Sequence, residues 1–131
     1  LFDGSIPSGN STMVRNLLRL HSLTGNAVYL ERAEEVLGQY GGAMRQQSFG
    51  LSNMICAADL LIGTADEIVI VGEPDDPGVR QMRAVIGGTY LPNRVLRVLR
   101  PSATDRLPGE LRGKRAVDGR ATAYVCRQRS C

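Results

Sequence analysis

Apolar side chains recur at the period of an α-helix over the first half of the chain. The first predicted helix begins near Asn10 or Ser11, either of which can accept hydrogen bonds from first-turn N–H groups, and it ends at Gly25. A second helix follows after a short turn and ends at Gly41 and Gly42. Because the connection is short, the two helices are predicted to be antiparallel neighbours, a helical hairpin. Its apolar stripe consists of Tyr29, Ala33, Val36, Leu37 and Tyr40.

The third predicted helix covers about residues 46–62, and its apolar residues again follow the helical period. Cys56 lies near that face, and we expect it in the core because a thiol without neighbours that lower its pKa behaves as a small apolar side chain. The apolar positions of this helix are Leu51, Met54, Ile55, Ala58, Leu61 and Ile62.

The pattern changes in the second half of the chain, where short apolar runs replace the helical period. Residues 67–71 and 94–99 predict two strands, and residues 121–126 predict a third. Asp76 followed by Pro77 predicts the start of an intervening helix that ends at Gly87 and Gly88, and residues 100–120 are rich in turn formers. The order strand, helix, strand indicates a βαβ unit.

These elements predict a mixed α/β fold. Three amphipathic helices in segment 1–65 precede segment 66–131, which holds the small βαβ unit and one further strand. Two or three strands with one helix cannot bury both faces of a parallel sheet by themselves. We therefore expect the second segment to pack on the first segment or on further chain.

Composition excludes several classes of protein. The 131 residues contain no apolar run of the ~20 residues that span a bilayer, and the start of the chain has no signal-peptide pattern, which favours a soluble, cytoplasmic protein. Residues 78–131 have a net charge of +9 and residues 1–77 have −6. Because the basic residues are scattered and only two tyrosines accompany them, nucleic-acid binding is disfavoured.

The titratable residues offer few candidates for chemistry. The three cysteines have no metal-ligand spacing, so we expect no metal and no cofactor, and we expect Cys126 and Cys131 to be free or easily reduced. Asp3 and Asp59 are the candidates for paired carboxylates of the glycosidase type. The alternative for Asp59 is a capped or salt-bridged polar residue at the edge of the third helix.

An ordered set of segments covers nearly the whole chain and resembles one known family. It is similar to the C-terminal part of the thioredoxin-domain-containing family that includes the spermatogenesis-associated protein of animals. The segments that carry the resemblance are Ile6–Ser11, Leu17–Leu20 with Leu23–Gly25, Tyr29–Glu34, Glu67–Gly72, Tyr90–Asn93 and Asp118–Cys126.

The resemblance implies a three-part design, with a thioredoxin-like domain, a toroid of helical hairpins like that of six-hairpin glycosidases, and a C-terminal α/β part. This chain would then hold the end of the toroid and the α/β part, as a fragment that is inactive alone. The predicted substrate-binding residues, which would line the central funnel, are Pro7, Ser8, Gly9, Asn10 and Ser11. The alternative for these five residues is a helix-capping turn.

Two functions follow as hypotheses. The chain is either part of a carbohydrate-processing protein that binds a carbohydrate-like small molecule, or a structural or interaction module without catalysis. In both cases we expect it to contact the remainder of its parent chain or to self-associate. The residues expected at the uncovered apolar flanks are Leu17, Leu18, Leu51, Met54 and Ile55.

Overall fold

The computed structural model describes residues 2–63, 65–106 and 112–127. They belong to two compact units, Leu1–Thr64 and Ala65–Cys131, called here the helical unit and the α/β unit. The helical unit contains α1 (Gly9–Thr24), α2 (Ala27–Gln46) and α3 (Ser52–Ile62). The α/β unit contains β1 (Asp66–Val71), α4 (Pro77–Gly88), β2 (Arg94–Leu99) and β3 (Thr122–Cys126). The predicted mixed α/β class is confirmed.

Local capping residues determine where α1 begins and ends. Ser8, two residues before the predicted Asn10, is the N-cap, and its side chain accepts from the backbone N–H of Ser11. Gly25 ends the helix with φ of 71°, a left-handed conformation that glycine adopts without a Cβ penalty. The prediction for the end of the helix is therefore confirmed.

The helix α2 is longer than predicted, because it continues through Gly41 and Gly42 to Gln46. Each glycine costs about 1 kcal/mol of helix propensity, but packing can outweigh that cost. Tyr40 and Met44, one turn apart on either side of the glycines, are both half-buried and extend the apolar stripe. In turn α3 begins only at Ser52, after a 3₁₀ turn at Phe49–Leu51.

The core of the helical unit lies between its three helices. Leu18, Leu51 and Met54 are at most 5% exposed, so the expectation that they form uncovered flanks is wrong. Cys56 is exposed rather than in the core, because the buried face of α3 runs through Met54, Ala57 and Leu60 instead. The other buried apolar residues of this unit are Val14, Ala33 and Leu37.

The α/β unit has a three-stranded sheet in the order β2-β1-β3. The central strand β1 pairs in parallel with β2 and antiparallel with β3, so β1, α4 and β2 form the predicted βαβ unit. Residues 68–71 of β1 are all buried, which matches the run of apolar residues expected for a strand covered on both faces.

Two polar contacts define the ends of α4. Asp76 is its N-cap and accepts from the Gly78 N–H at 2.6 Å, as the Asp-Pro pair predicts. At the other end the Arg94 guanidinium donates to the carbonyls of Ile86 and Thr89, both at 3.1 Å. A cation on the last carbonyls of a helix is favourable because those groups have no partner within the helix.

Part of the loop predicted over residues 100–120 is a short 3₁₀ helix, Pro101–Arg106, and positions 107–111 lie outside the described residues. Within the described ranges no helix combines the length and the apolar character that crossing a bilayer requires.

Candidate functional site

The carboxylate of Asp3 connects the N-terminal loop to the start of α3. Its Oδ1 accepts from the Ser8 N–H at 2.8 Å, and its Oδ2 accepts from the N–H groups of Asn53 and Met54 at 2.8 and 3.1 Å. The helix has no side-chain cap of its own, so Asp3 caps it from fifty residues away in the sequence. The negative charge also lies at the positive end of the helix dipole.

These contacts keep Asp3 ionised although the residue is only 8% exposed. Burial raises the pKa of Asp3, but hydrogen bonds from the Ser8 backbone, the Ser11 side chain and the Met54 backbone together outweigh that effect. The pKa of Asp3 therefore lies below its ordinary value. A carboxylate in this state is a hydrogen-bond acceptor and a fixed charge, not a proton donor at neutral pH.

Most residues of the predicted substrate-binding turn make contacts within the helical unit or begin α1. The hydroxyl groups of Ser8 and Ser11 are 2.8 Å apart, and Ser11 is fully buried. Gly9 is the first residue of α1, and the side-chain amide of Asn10 donates to the hydroxyl group of Tyr40 on α2. Only Pro7, of the five predicted residues, lines the groove described next.

A shallow polar groove of about 230 Å³ runs along α1 beside this turn. Four of its residues repeat at the i, i+3, i+4, i+7 spacing of one helix face, and α3 and the N-terminal loop supply the others. The lining residues are Pro7, Thr12, Arg15, Asn16, Arg19 and Asn53.

Hydrogen bonds hold one wall of the groove in place. The Arg15 guanidinium donates to Asn53 Oδ1 at 2.9 Å, and the backbone of Asn53 is itself bound by Asp3. Asp3 also binds Ser8, the neighbour of Pro7. The buried carboxylate thus positions the groove at two points without lining it. Sequence reasoning did not single out this groove, although the polar stripe Thr12, Arg15, Asn16, Arg19 on α1 is a readable signal.

The two predicted carboxylates are not brought together. Asp3 binds the N-terminal end of α3, whereas Asp59 is exposed in the last turn of the same helix, where its carbonyl accepts from the Gly63 N–H. Five residues of helix separate Met54 from Asp59, which is a rise of about 7.5 Å along the axis.

A second unusual charge lies in the α/β unit. Arg97 on β2 is 7% exposed, and within the described part of the chain none of its three guanidinium nitrogens has a hydrogen-bond partner. It shares a sheet face with Val69 and Val95, and the negative charge of Glu67 on β1 attracts it. Burial lowers the pKa of Arg97, and the attraction of Glu67 raises it by less. The sequence pattern predicts the strand but does not single out this residue.

The cysteines differ from expectation. Cys126 is disulfide-bonded, so the prediction is wrong as far as a free thiol is concerned, and an easily reduced bond stays a prediction. Cys131 lies outside the described residues. Cys56 carries a free, exposed thiol. Over the part of the chain that the structure describes, no group of three or more His, Cys, Asp or Glu residues is arranged to hold a metal ion.

The chain is similar to spermatogenesis-associated protein 20 of Rattus norvegicus, with 31% identity over 132 aligned residues that cover 98% of this chain. The proteins of the same name from Mus musculus and Homo sapiens are each 30% identical over the same share of the chain. No family model matches the chain, and no solved structure matches it. The alignment spans only 17% of the length of these relatives. The comparison therefore confirms homology to spermatogenesis-associated protein 20 over nearly the whole chain, whereas the thioredoxin-like domain and the helical toroid stay predictions.

Proposed function

We propose that the helical unit forms one part of the ligand-binding surface of a larger, carbohydrate-processing protein built as a toroid of helical hairpins. The polar groove on α1 carries this proposal, because it combines amide and guanidinium donors beside the turn where the family resemblance predicts substrate contacts. Side chains of this kind bind sugar hydroxyl groups and fix their orientation.

The proposed role is binding rather than proton transfer. The oxygens of Asp3 are engaged by backbone N–H groups of Ser8, Asn53 and Met54, so we assign Asp3 the role of a positioning residue. Asp59 stands at the other end of α3. In this proposal the acid and base of a sugar-processing reaction come from other parts of the longer protein.

We expect neutral sugars to bind weakly in the groove. Titration of ¹⁵N-labelled chain with glucose, mannose or cellobiose should shift the amide signals of Thr12 and Asn16. Asn16→Ala should weaken binding about three- to tenfold, because a hydrogen bond between neutral groups contributes about 0.5–1.5 kcal/mol. Gln39→Ala, an exposed amide of α2 outside the groove, is the matched control. Shifts scattered over both units, or equal losses in the two variants, would contradict the proposal.

A second candidate is an interaction module, and exposed apolar side chains of the helical unit favour it. Phe49 is 97% exposed and Ile62 is 84% exposed. Phe2, itself 58% exposed, lies against Gly50, the neighbour of Phe49. When a second surface covers exposed apolar side chains, the free energy falls by about 25 cal/mol per Å² of apolar area removed from water. The partner would be the rest of the parent protein or a second copy.

For the isolated chain we expect self-association through the helical unit. Light scattering should give a mass that rises with protein concentration, and Phe49→Ser should reduce the rise. Tyr90→Ser, which changes an 88% exposed aromatic side chain of the α/β unit, should leave it unchanged. A concentration-independent monomer would exclude self-association of this chain.

A further inference from the structure

The two arginines of the groove are unlike the ion-paired arginines of this protein. Arg32, Arg127 and Arg100 each have a carboxylate oxygen within 4 Å, from Glu35 at 3.0 Å, Asp66 at 2.6 Å and Glu73 at 3.9 Å respectively. Among the ion pairs of the described residues, neither Arg15 nor Arg19 appears. The groove is thus positively charged, whereas the rest of the helical unit has a small negative net charge.

The spacing of the two arginines brings their charges to the same place. Arg15 and Arg19 are four residues apart on α1, so their side chains are neighbours on one helix face and repel each other. None of the six groove residues is acidic. The carboxylate closest in the hydrogen-bond network is Asp3, which is buried and bound by backbone N–H groups. An anion placed between the two guanidinium groups would remove the repulsion.

One of the two guanidinium groups is oriented before any ligand arrives. Arg15 donates one N–H to Asn53 Oδ1 at 2.9 Å, and Asn53 is held in turn by Asp3. A guanidinium group has five N–H donors in a planar fork, so the remaining donors of Arg15 can bind two oxygens of one anionic group. Arg19 is exposed and can close on the same group from the next helical turn.

We infer that the groove selects ligands with a phosphate or carboxylate group, which binds between Arg15 and Arg19 while Asn16 and Thr12 contact the rest of the ligand. This inference rests on the proposed function, because it names the substituent that the same groove recognises. The groove supplies what arginines use to recognise an oxyanion, since it has two positive charges on one helix face and Asn53 holds one of the two guanidinium groups.

The test compares four probes by NMR titration of the labelled chain: glucose, glucose 6-phosphate, glucuronate and inorganic phosphate. Glucose 6-phosphate or glucuronate should bind about tenfold or more tightly than glucose, and added salt should weaken only the anionic probes. Arg19→Gln should abolish that preference. Arg45→Gln removes the same charge from an exposed site on α2 of the same unit and should retain the preference.

The outcomes separate this inference from the proposed function. If glucose binds the groove as tightly as the anionic sugars, the inference fails and the proposed function stands. If inorganic phosphate binds as tightly as glucose 6-phosphate, the anion site is supported, but the sugar contributes nothing to binding and the carbohydrate ligand is excluded. If Arg45→Gln loses as much preference as Arg19→Gln, the effect is one of net charge and the site is wrong. If no probe shifts the groove signals, both proposals fail.

Discussion

Replacing Arg97 by methionine is expected to raise the free energy of unfolding of the α/β unit by about 1–3 kcal/mol. The guanidinium group is buried on a sheet face that it shares with Val69 and Val95, and among the described residues its nitrogens lack hydrogen-bond partners. An ion removed from water without full compensation destabilises the folded state, and the lowered pKa of Arg97 is a second sign of that cost. Methionine keeps the length and flexibility of the chain and removes the charge. Urea unfolding followed through the amide signals of β1 measures the effect in this unit.

Arg94→Met is the matched control, because it makes the same change on the same strand. Arg94 donates to the carbonyls of Ile86 and Thr89, so its loss should destabilise the unit. Changes of opposite sign in the free energy of unfolding of the two variants would support the interpretation of Arg97 as an uncompensated charge. If Arg97→Met destabilises the unit as much as Arg94→Met does, Arg97 has a stabilising partner. Glu67→Gln would then identify whether that partner is Glu67, the charge that attracts it.

The fold was predictable where local chemistry determines it. Asp76 before Pro77 marks the start of α4, Gly25 marks the end of α1, and the apolar run of β1 indicates a strand buried on both faces. Each signal depends on a few neighbouring residues, so it can be read from one sequence.

Predictions failed where packing overrides local preference. Gly41 and Gly42 predict a helix end, but α2 continues to Gln46, with the half-buried side chains of Tyr40 and Met44 on either side of the glycines. That extension also moves the start of α3 to Ser52. The face of α3 that becomes buried then excludes Cys56, which the apolar pattern alone placed in the core.

The candidate site was predictable only in part, because its organisation is long-range. The sequence singled out Asp3 as a candidate carboxylate and the turn from Pro7 to Ser11 as candidate substrate-binding residues, but it did not indicate which groups Asp3 contacts. Asp3 and Asn53 are fifty residues apart in the sequence, so no local sequence pattern predicts their contact. Arg97 was detectable in principle, because a charged residue at an inward position of a strand is an inconsistency in the pattern when the last four residues of the neighbouring strand are apolar and buried.

Asp3→Asn is expected to lower the free energy of unfolding of the helical unit by about 2–3 kcal/mol. The change removes a charge that accepts hydrogen bonds from Ser8, Asn53 and Met54, and it turns an amide NH₂ group toward N–H donors. The start of α3 and the loop before α1 lose their common anchor, so the groove should lose ligand affinity as well. Glu34→Gln, at an exposed acid of α2, is the matched control and should have little effect.

The pH dependence of the free energy of unfolding distinguishes the effect of the Asp3 charge from the effect of its side-chain packing. Because the pKa of folded Asp3 lies below that of the unfolded chain, its ionised form stabilises the fold above about pH 4–5. That contribution is lost as the pH falls through the folded pKa, since the carboxyl group is then protonated in both states. The stability difference between the parent chain and Asp3→Asn, measured by urea unfolding, should therefore be constant from pH 7 to pH 5 and should shrink below pH 4. A difference that is unchanged down to pH 2.5 would show that Asp3 acts through packing alone.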